Sequence, residues 1–397
     1  MQASIVLLVL VIINWPIWTT RNPLPQPLSG SGCAVINDTI YIIGGRDSPG
    51  NRYATTYAYD LNSNTWSTKT SMLTPRAHLG CAAVNGKIYA IGGWVGSTAT
   101  DVVEEYDPVT DTWTTKTPIP TPRYTLGIVV VANKIYVIGG MNMQGQIFNT
   151  IEEYDPLTDT WTAKTPMPTQ RMGPGCAVVN DTIYAFGGST VIGGGVTTVN
   201  ECYDPITDNW TTRTSMITGR YALGGFAWYN RAFAVGGYDY STYHTSVEMY
   251  YPTDNTWLNI SPMQYARQSV AVGLVGQYVY VIGGWNNGAW DYNEEGWFEI
   301  GIEEYKQAQS MVAFDVRPNP FTTSIRINLT LPDKKACELQ IFDVSGRLVR
   351  KLTQSSANGN FAFEWDGKSN NGTNLPNGTY ILMIKGTNQT KKLILMR

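Results

Sequence analysis

Charge is what this sequence has least of. Of its 397 residues, 28 are Lys or Arg and 31 are Asp or Glu, 15% of the chain, with a formal net charge of -3. That balance leaves no basic field, and without one, or an RNA- or DNA-binding motif, nucleic acid is excluded as a partner. Histidine is nearly missing: His78 and His244 are the two in the chain, which argues against a zinc or copper site built on imidazoles. Five cysteines are an odd number, too few for a disulfide scaffold at this length, and no Cys-x-x-Cys pair occurs. Long hydrophobic runs are lacking too. The run Ala3 to Ile13 has 11 residues, too few to span a bilayer but right for the core of a signal peptide. No Lys or Arg precedes it and no small-x-small cleavage site follows, so residues 1–14 are expected to be an imperfect signal peptide. The mature protein is then expected to carry no membrane span.

Glycine (39), tyrosine (24) and tryptophan (13) are abundant instead, and Gly-rich turns with β-favouring aromatics predict an all-β chain of many short strands. The chain also repeats itself. Its cleanest unit runs from Lys87 to Arg123: KIYAIGG, a loop, EEYDPVTDTW, then TTKTPIPTPR. Double glycines recur at 44–45, 92–93, 139–140, 187–188, 236–237 and 283–284, in steps of 48, 47, 48, 49 and 47 residues, which makes six copies. Each copy supplies four strand-like runs, and Asp107-Pro108, Asp155-Pro156 and Asp204-Pro205 mark the turn between the third and fourth. One four-stranded unit cannot bury both its faces. Six must therefore pack around a ring, with Tyr and Trp filling the gaps between them.

Register predicts how the ring closes. Trp and Arg stand ten residues apart in five copies: Trp66 to Arg76, Trp113 to Arg123, Trp161 to Arg171, Trp210 to Arg220, and Trp257 to Arg267. The sixth copy has Tyr305 but no Trp after it. Near the N-terminus, Trp18-Thr-Thr-Arg-Asn-Pro-Leu-Pro matches the segment from Trp113, with Leu28 in the Arg slot. The N-terminal strand is expected to complete the sixth unit, which removes an open sheet edge. Cys33, Cys81 and Cys176 each follow that slot by five residues and read as equivalent small packing residues.

Gly-Gly, Tyr-Asp and Trp at this period resemble kelch repeats, over roughly residues 17 to 305. The resemblance implies a six-bladed β-propeller, placed at 15–305. It also implies that ligands bind on the face built by the loops after the second strand and between the fourth strand and the next blade.

Residues 306–313 read as a linker, and a different β pattern begins at Phe314. Alternating apolar residues with Asn-Gly and Pro-Asn-Gly turns predict a small antiparallel sandwich of about seven strands over 314–397. Asn319-Pro320-Phe321, Leu331-Pro332, DVSGRLVR at Asp343–Arg350, Trp365-Asp366-Gly367 and Asn377-Gly378-Thr379-Tyr380 are its landmarks. The stretch resembles the C-terminal sorting domain of type IX secretion cargo and the Ig-like domain of flagellar hook-capping proteins. The first resemblance implies a bacterial protein handed to an outer-membrane translocon through residues 314–397 and left extracellular or on the outer-membrane cell surface. An ordinary adhesive or spacer module is the alternative.

Two sets of residues map to the ligand face by the family pattern. Arg76, Arg123, Arg171, Arg220 and Arg267 recur once per blade and would suit carboxylates through bidentate hydrogen bonds; alternatively each holds loop carbonyls of the adjacent blade. Arg46, Trp94, Asn142, Tyr238, Tyr240 and Trp285 follow the double glycines and differ from copy to copy, as a specific site must. Counted to Tyr305, the sixth copy has an enlarged loop after Gly284, carrying Trp285, Trp290, Tyr292 and Trp297 as aromatic binding candidates or as a cover over the closing seam. The pairs Glu104-Glu105, Glu152-Glu153 and Glu303-Glu304 lie on strands, where neighbours point to opposite faces, so they are structural rather than acid–base pairs.

The expected function is noncatalytic recognition of a protein or glycan, with no cofactor. The enzymatic alternative is a sugar-modifying kelch protein such as a sialate mutarotase. Galactose-oxidase-like copper chemistry is disfavoured because His78 and His244 occupy unrelated repeat positions, and sialidase Asp boxes do not occur.

Overall fold

The computed structural model describes residues 7–306, 314–330, 336–356, 360–385 and 390–397, with the backbone alone over 7–15, 299–306 and at 314. The described chain is all-β and falls into two compact units, Trp15–Trp297 and Met1–Asn14 with Phe298–Arg397.

Each blade in Trp15–Trp297 is built from the repeat in the same way. In the second blade, Gly80–Val84, Lys87–Ile91, Val103–Asp107 and Thr112–Lys116 pair antiparallel in that order. Asn85-Gly86 joins the first two with positive φ at both residues (50° and 75°), the two-residue turn whose twist matches the strands. Lys87–Ile91 is buried from its second residue on, whereas the Thr-rich fourth strand is mostly exposed. After Ile91, Gly92 takes φ +60°, and a Cβ there would sit 2.6 Å from the Arg123 carbonyl. Only glycine lets the two backbones come so close. Asp107 Oδ1 accepts from the Val109 amide and fixes the turn into the fourth strand. The first strands of successive blades touch in a closed cycle and line the axis.

Tyr and Trp join the blades. Tyr106 packs on Trp113 with ring centroids 5.0 Å apart, and the same pair recurs as Tyr59–Trp66, Tyr154–Trp161, Tyr203–Trp210 and Tyr250–Trp257. Each indole N–H then crosses to the preceding blade: Trp66 to Asn22, Trp113 to Thr70, Trp161 to Thr117, Trp210 to Thr165 and Trp257 to Thr214. The tyrosine hydroxyl donates to Asp111 Oδ1, which also accepts the Thr70 amide from that blade. The cysteines are packing residues: a Cβ on Gly32 would strike Cys81 Sγ, and one on Gly127 would strike Cys176 Sγ, so each thiol fills the space left by a neighbouring glycine. Burial pushes both thiols up to about 12.

The sixth sheet is closed by the N-terminal strand Leu7–Arg21, which pairs with Asn293–Lys306, itself beside Tyr278–Ile282 and Ala271–Val275. Trp18 occupies the indole slot and donates to Ser261. Arg21 clasps Glu295 through both Nε (2.9 Å) and Nη2 (2.6 Å). Leu28 fills the Arg slot by backbone alone: its carbonyl accepts from Gly284, as those of the arginines accept from the other second glycines.

The enlarged sixth loop is corrected. Tyr278–Ile282 pairs with Asn293–Trp297, so Gly296, not Tyr305, holds the tyrosine position, and Glu294-Glu295, not Glu303-Glu304, are the glutamate pair. The connection from Gly284 is of ordinary length. Trp18 stacks where the missing tyrosine ring would lie, since a Cβ on Gly296 would come 2.9 Å from its ring. Of the expected signal peptide, residues 1–6 lie outside the described residues and the strand begins at Leu7; of the linker at 306–313, only Lys306 is described.

The C-terminal strands form a sandwich. Phe314–Arg317, Ile325–Thr330 and Asn360–Trp365 make one sheet; Leu348–Ser355, Ala336–Asp343, Gly378–Ile384 and Thr390–Leu395 make the other. Trp365 is fully buried against Phe321 and Tyr380. The sequence landmarks here are architectural. Asn319 and Asn377 each grip the last strand by donating to a carbonyl (Lys392, Arg397) and accepting from an amide (Ile394, Arg397). Asp343 accepts the Ser345 and Arg347 amides, which shapes the DVSGR turn.

Candidate functional site

The loops after the second strands and those entering the first strands meet on one face, where the blades stop being alike. The residue after each double glycine forms an antiparallel bridge to the residue after the Arg slot: Arg46 with Ser29, Trp94 with Ala77, Met141 with Tyr124, Ser189 with Met172, Tyr238 with Tyr221, and Trp285 with Gln268. One residue further on, a belt of backbone hydrogen bonds circles the axis. Gly30 donates to Ser269 (3.0 Å), Ser269 to Ala222 (2.8 Å), Ala222 to Gly173 (2.9 Å), Gly173 to Thr125 (2.7 Å), Thr125 to His78 (3.0 Å) and His78 to Gly30 (2.6 Å). All six residues have left-handed backbone, with φ between +51° and +63°.

Blades six, one and two carry a cationic aromatic cluster. The Arg46 guanidinium lies 4.5 Å from the Trp285 ring and 5.8 Å from the Trp94 ring, and Arg52 lies 5.0 Å from Trp94. Arg46 and Arg52 are bridge partners across the neck of one loop. Asp47 is hydrogen-bonded to Asn51 and the Tyr53 hydroxyl rather than to Arg46, though its charge still favours the Arg46 cation. Burial lowers the Arg46 proton affinity, and Arg52 lowers it further. His78 stands beside them over the belt, 6.5 Å from Trp94 and 6.4 Å from Tyr124; burial, with help from Arg46, pulls it down to about 4, so it is neutral at neutral pH.

Blades three to five are aromatic and apolar. Tyr221 stacks on Tyr240 at 4.7 Å and Tyr238 on Tyr243 at 4.5 Å, while Met141, Met172 and Ile147 pack with Tyr124 and Tyr240. A short hairpin, Ser189–Val191 with Gly194–Val196, stands up from blade four, and Val191 and Ile192 at its tip are more than half exposed. The Tyr240 hydroxyl donates to Ser189 Oγ at its base. Sequence reasoning missed this hairpin; the run Gly193-Gly194-Gly195 was its signal. At the blade-five loop, His244 Nε2 is 3.1 Å from Asp239 Oδ2. Burial pushes the Asp239 carboxyl up, but hydrogen bonds from Ser241, Thr242 and His244 outweigh it and hold it well below the usual range.

Several expected site residues lie elsewhere. Arg76, Arg123, Arg171, Arg220 and Arg267 are 0% exposed and pair with Glu104, Glu152, Glu201, Glu248 and Glu294. Each also donates to carbonyls of the following blade, Arg76 to Ala90 and Arg267 to Val281 at 2.8 Å among them. With no surface, they are inter-blade bolts rather than ligand contacts. Asn142 is turned into its own loop, accepting from the Gln144 and Gln146 amides, and Met141 holds the ring position instead. Trp290 and Tyr292 pack with Tyr265 at 6.2 and 4.2 Å, and the carbonyls of Trp290 and Asp291 accept from Leu28 and Leu24 of the closing segment. They cover the seam. Trp297 opposes Tyr278, four residues down the ladder from the loop end at Ile282–Asn293, about 13 Å along the strand, and so lies at the far end of the blade. Arg46, Trp94, Tyr238, Tyr240 and Trp285 remain on the face, half-buried. No group of three or more His, Cys, Asp or Glu poised for a metal occurs among the described residues.

The comparisons with known proteins fit this geometry. The model of the KLHDC2/KLHL20/DRC7 Kelch-repeats domain matches residues 3–188 and 114–284, together more than half of the chain. The model of the FlgD Ig-like domain matches residues 320–390. The solved structure of YjhT is similar in fold, with a TM-score of 0.61 at 17% identity, covering 68% of this chain and 95% of that one. No curated protein matches. Six Gly-Gly blades, five with the Tyr–Trp pair and the sixth closed by Trp18, and a kelch model matched over most of them, place this chain in the kelch-repeat family.

Proposed function

We propose that this protein is a secreted or cell-surface bacterial binding protein whose propeller recognises a glycan or protein on the loop face. One observation carries the reading. The six positions after the double glycines are equivalent in backbone, yet hold Arg46, Trp94, Met141, Ser189, Tyr238 and Trp285. Positions that build the ring repeat; these do not, and half-buried aromatics with polar edges suit sugar faces and peptide side chains alike. Binding of the full chain to a glycan and peptide array tests it. Saturable binding weakened tenfold or more by Trp94→Ala or Trp285→Ala is expected, and binding that ignores both substitutions would overturn the assignment of the face.

Export through a sorting role of the C-terminal sandwich belongs to the same proposal, supported by the resemblance of its landmark segments to sorting domains. Deleting residues 314–397 should retain the protein in the periplasm, and normal release would refute that role.

A second reading, a sugar-modifying enzyme such as a sialate mutarotase, is favoured by the Asp239–His244 pair on the loop face. An acid–base pair of this kind suffices for opening and closing a sugar ring. NMR exchange between sialic acid anomers should be accelerated by the protein and lost in Asp239→Asn; an uncatalysed rate ends this reading.

A further inference from the structure

We propose that Arg46 and Arg52 form an anion site that reads a carboxylate or sulfate group on an acidic glycan; this rests on the reading of the loop face as a binding surface. The two arginines are backbone bridge partners directly across the neck of the 46–52 loop, close enough that the Arg52 charge acts on Arg46. Like charges placed opposite each other destabilise a strand pair. At the same neck the other blades place Trp94 with Ala99, Met141 with Ile147, Tyr238 with Tyr243, and Trp285 with Ala289, none of them a charged pair. Blade one alone, among these, sets cation against cation.

The two cations are also short of partners. Each blade-core arginine has its glutamate, but among the described residues no ion pair joins Arg46 or Arg52 to a carboxylate. Arg46 Nε is buried without a hydrogen-bond partner, and Arg52 donates Nη1 to the Gly50 carbonyl. A half-buried guanidinium with an unused N–H beside a second cation lacks one component, an oxyanion able to accept from both.

The frame around them is fixed. Ser48 Oγ accepts the Ala289 amide at 2.9 Å, tying the blade-one loop to the blade-six loop that carries Trp285. A Cβ on Gly96 would sit 2.7 Å from Arg52 Nη2, so the blade-two loop closes the other side. Trp285 and Trp94 flank Arg46, and the stacked tyrosines 221, 238, 240 and 243 continue the aromatic surface around the ring. Aromatic faces for sugar rings beside a two-cation site for their acidic substituents specify an acidic glycan over a neutral one.

The test is calorimetric titration of the full chain with three probes: a galacturonic acid oligomer, its methyl ester, and a sulfated galactan oligosaccharide. Binding of either acidic probe, at least tenfold tighter than the ester and weakened at least tenfold by both R46Q and R52Q, is the expected result, and which acidic probe binds separates carboxylate from sulfate. Thermal melting of R46Q should be unchanged or raised, since a like-charge repulsion is removed; this keeps loss of binding distinct from loss of fold. Ester and acid bound equally well, or binding indifferent to R46Q and R52Q, would overturn the anion site while leaving the binding face standing if Trp285→Ala still weakens it. Acidic peptides bound in place of any glycan would overturn the ligand class. No binding to any glycan or peptide would remove the proposed function itself.

Discussion

The indole nitrogen of Trp18 donates to the carbonyl of Ser261, 3.0 Å away and 243 residues later in the chain. The same bond joins every pair of neighbouring blades, and this copy is the one that turns a row of sheets into a ring. Trp18→Ala should lower stability by about 3–5 kcal/mol, the usual cost of emptying a buried tryptophan site, as measured by urea unfolding of the full chain. Trp66→Ala, at a more exposed indole, should cost less. Equal effects would mean that closure is not a special point.

Arg171 is buried against Glu201 and the carbonyls of Gly187 and Val199. Removing one partner of a buried pair leaves the other uncompensated, so Arg171→Gln should cost roughly 3–5 kcal/mol. Ligand affinity measured below the unfolding transition should stay within a factor of two. A selective loss of affinity with stability intact would restore the arginines to the ligand site.

His78 supplies an acid-sensitive term. Its folded-state value of about 4 lies below the ordinary 6.5, so the unfolded chain takes up the proton first. Stability should therefore be fully present above about pH 6.5 and decline as pH falls toward 4, by roughly 2–3 kcal/mol. His78→Gln should flatten that part of the profile in denaturant titrations at several pH values; a profile that does not change would remove His78 as the cause.

Asn319 and Asn377 hold the final strand from outside its ladder. Asn319→Ala and Asn377→Ala should each cost about 1–3 kcal/mol, the range for leaving a hydrogen-bonding group unpaired. Hydrogen exchange should show the loss first at residues 390–397. Uniform loss across both sheets would point to global destabilisation instead.

Architecture was readable because it is written six times. Gly-Gly recurs in all six blades, the Tyr–Trp pair in five and Asp-Pro in three, each answering a backbone or packing demand, and Trp18 marks the closing strand by matching the segment from Trp113. The sixth blade misled for the same reason. Its tyrosine position holds Gly296, because the closing Trp18 ring takes up that space, and the next Glu-Glu-Tyr in the sequence ends at Tyr305. Counted to Tyr305, Trp297 falls in a loop, whereas strand pairing with Tyr278 puts it at the opposite end of the blade. The arginines looked chemical because charge repeated on schedule invites that reading. Their partners, Glu104, Glu152, Glu201, Glu248 and Glu294, lie 27 to 30 residues away, beyond the reach of a local pattern. The cation pair of Arg46 and Arg52 was only half visible: Arg46 broke the repeat, but the bridge that sets Arg52 against it depends on the fold of the loop.

The belt of hydrogen bonds through Gly30, His78, Thr125, Gly173, Ala222 and Ser269 makes every blade a link in one closed chain at the axis. Each residue in it donates its N–H to one neighbour and accepts at its carbonyl from the other, so loss of any one member opens the cycle. Losing one of these links would leave the strands of each blade able to pair but open the cycle at the axis.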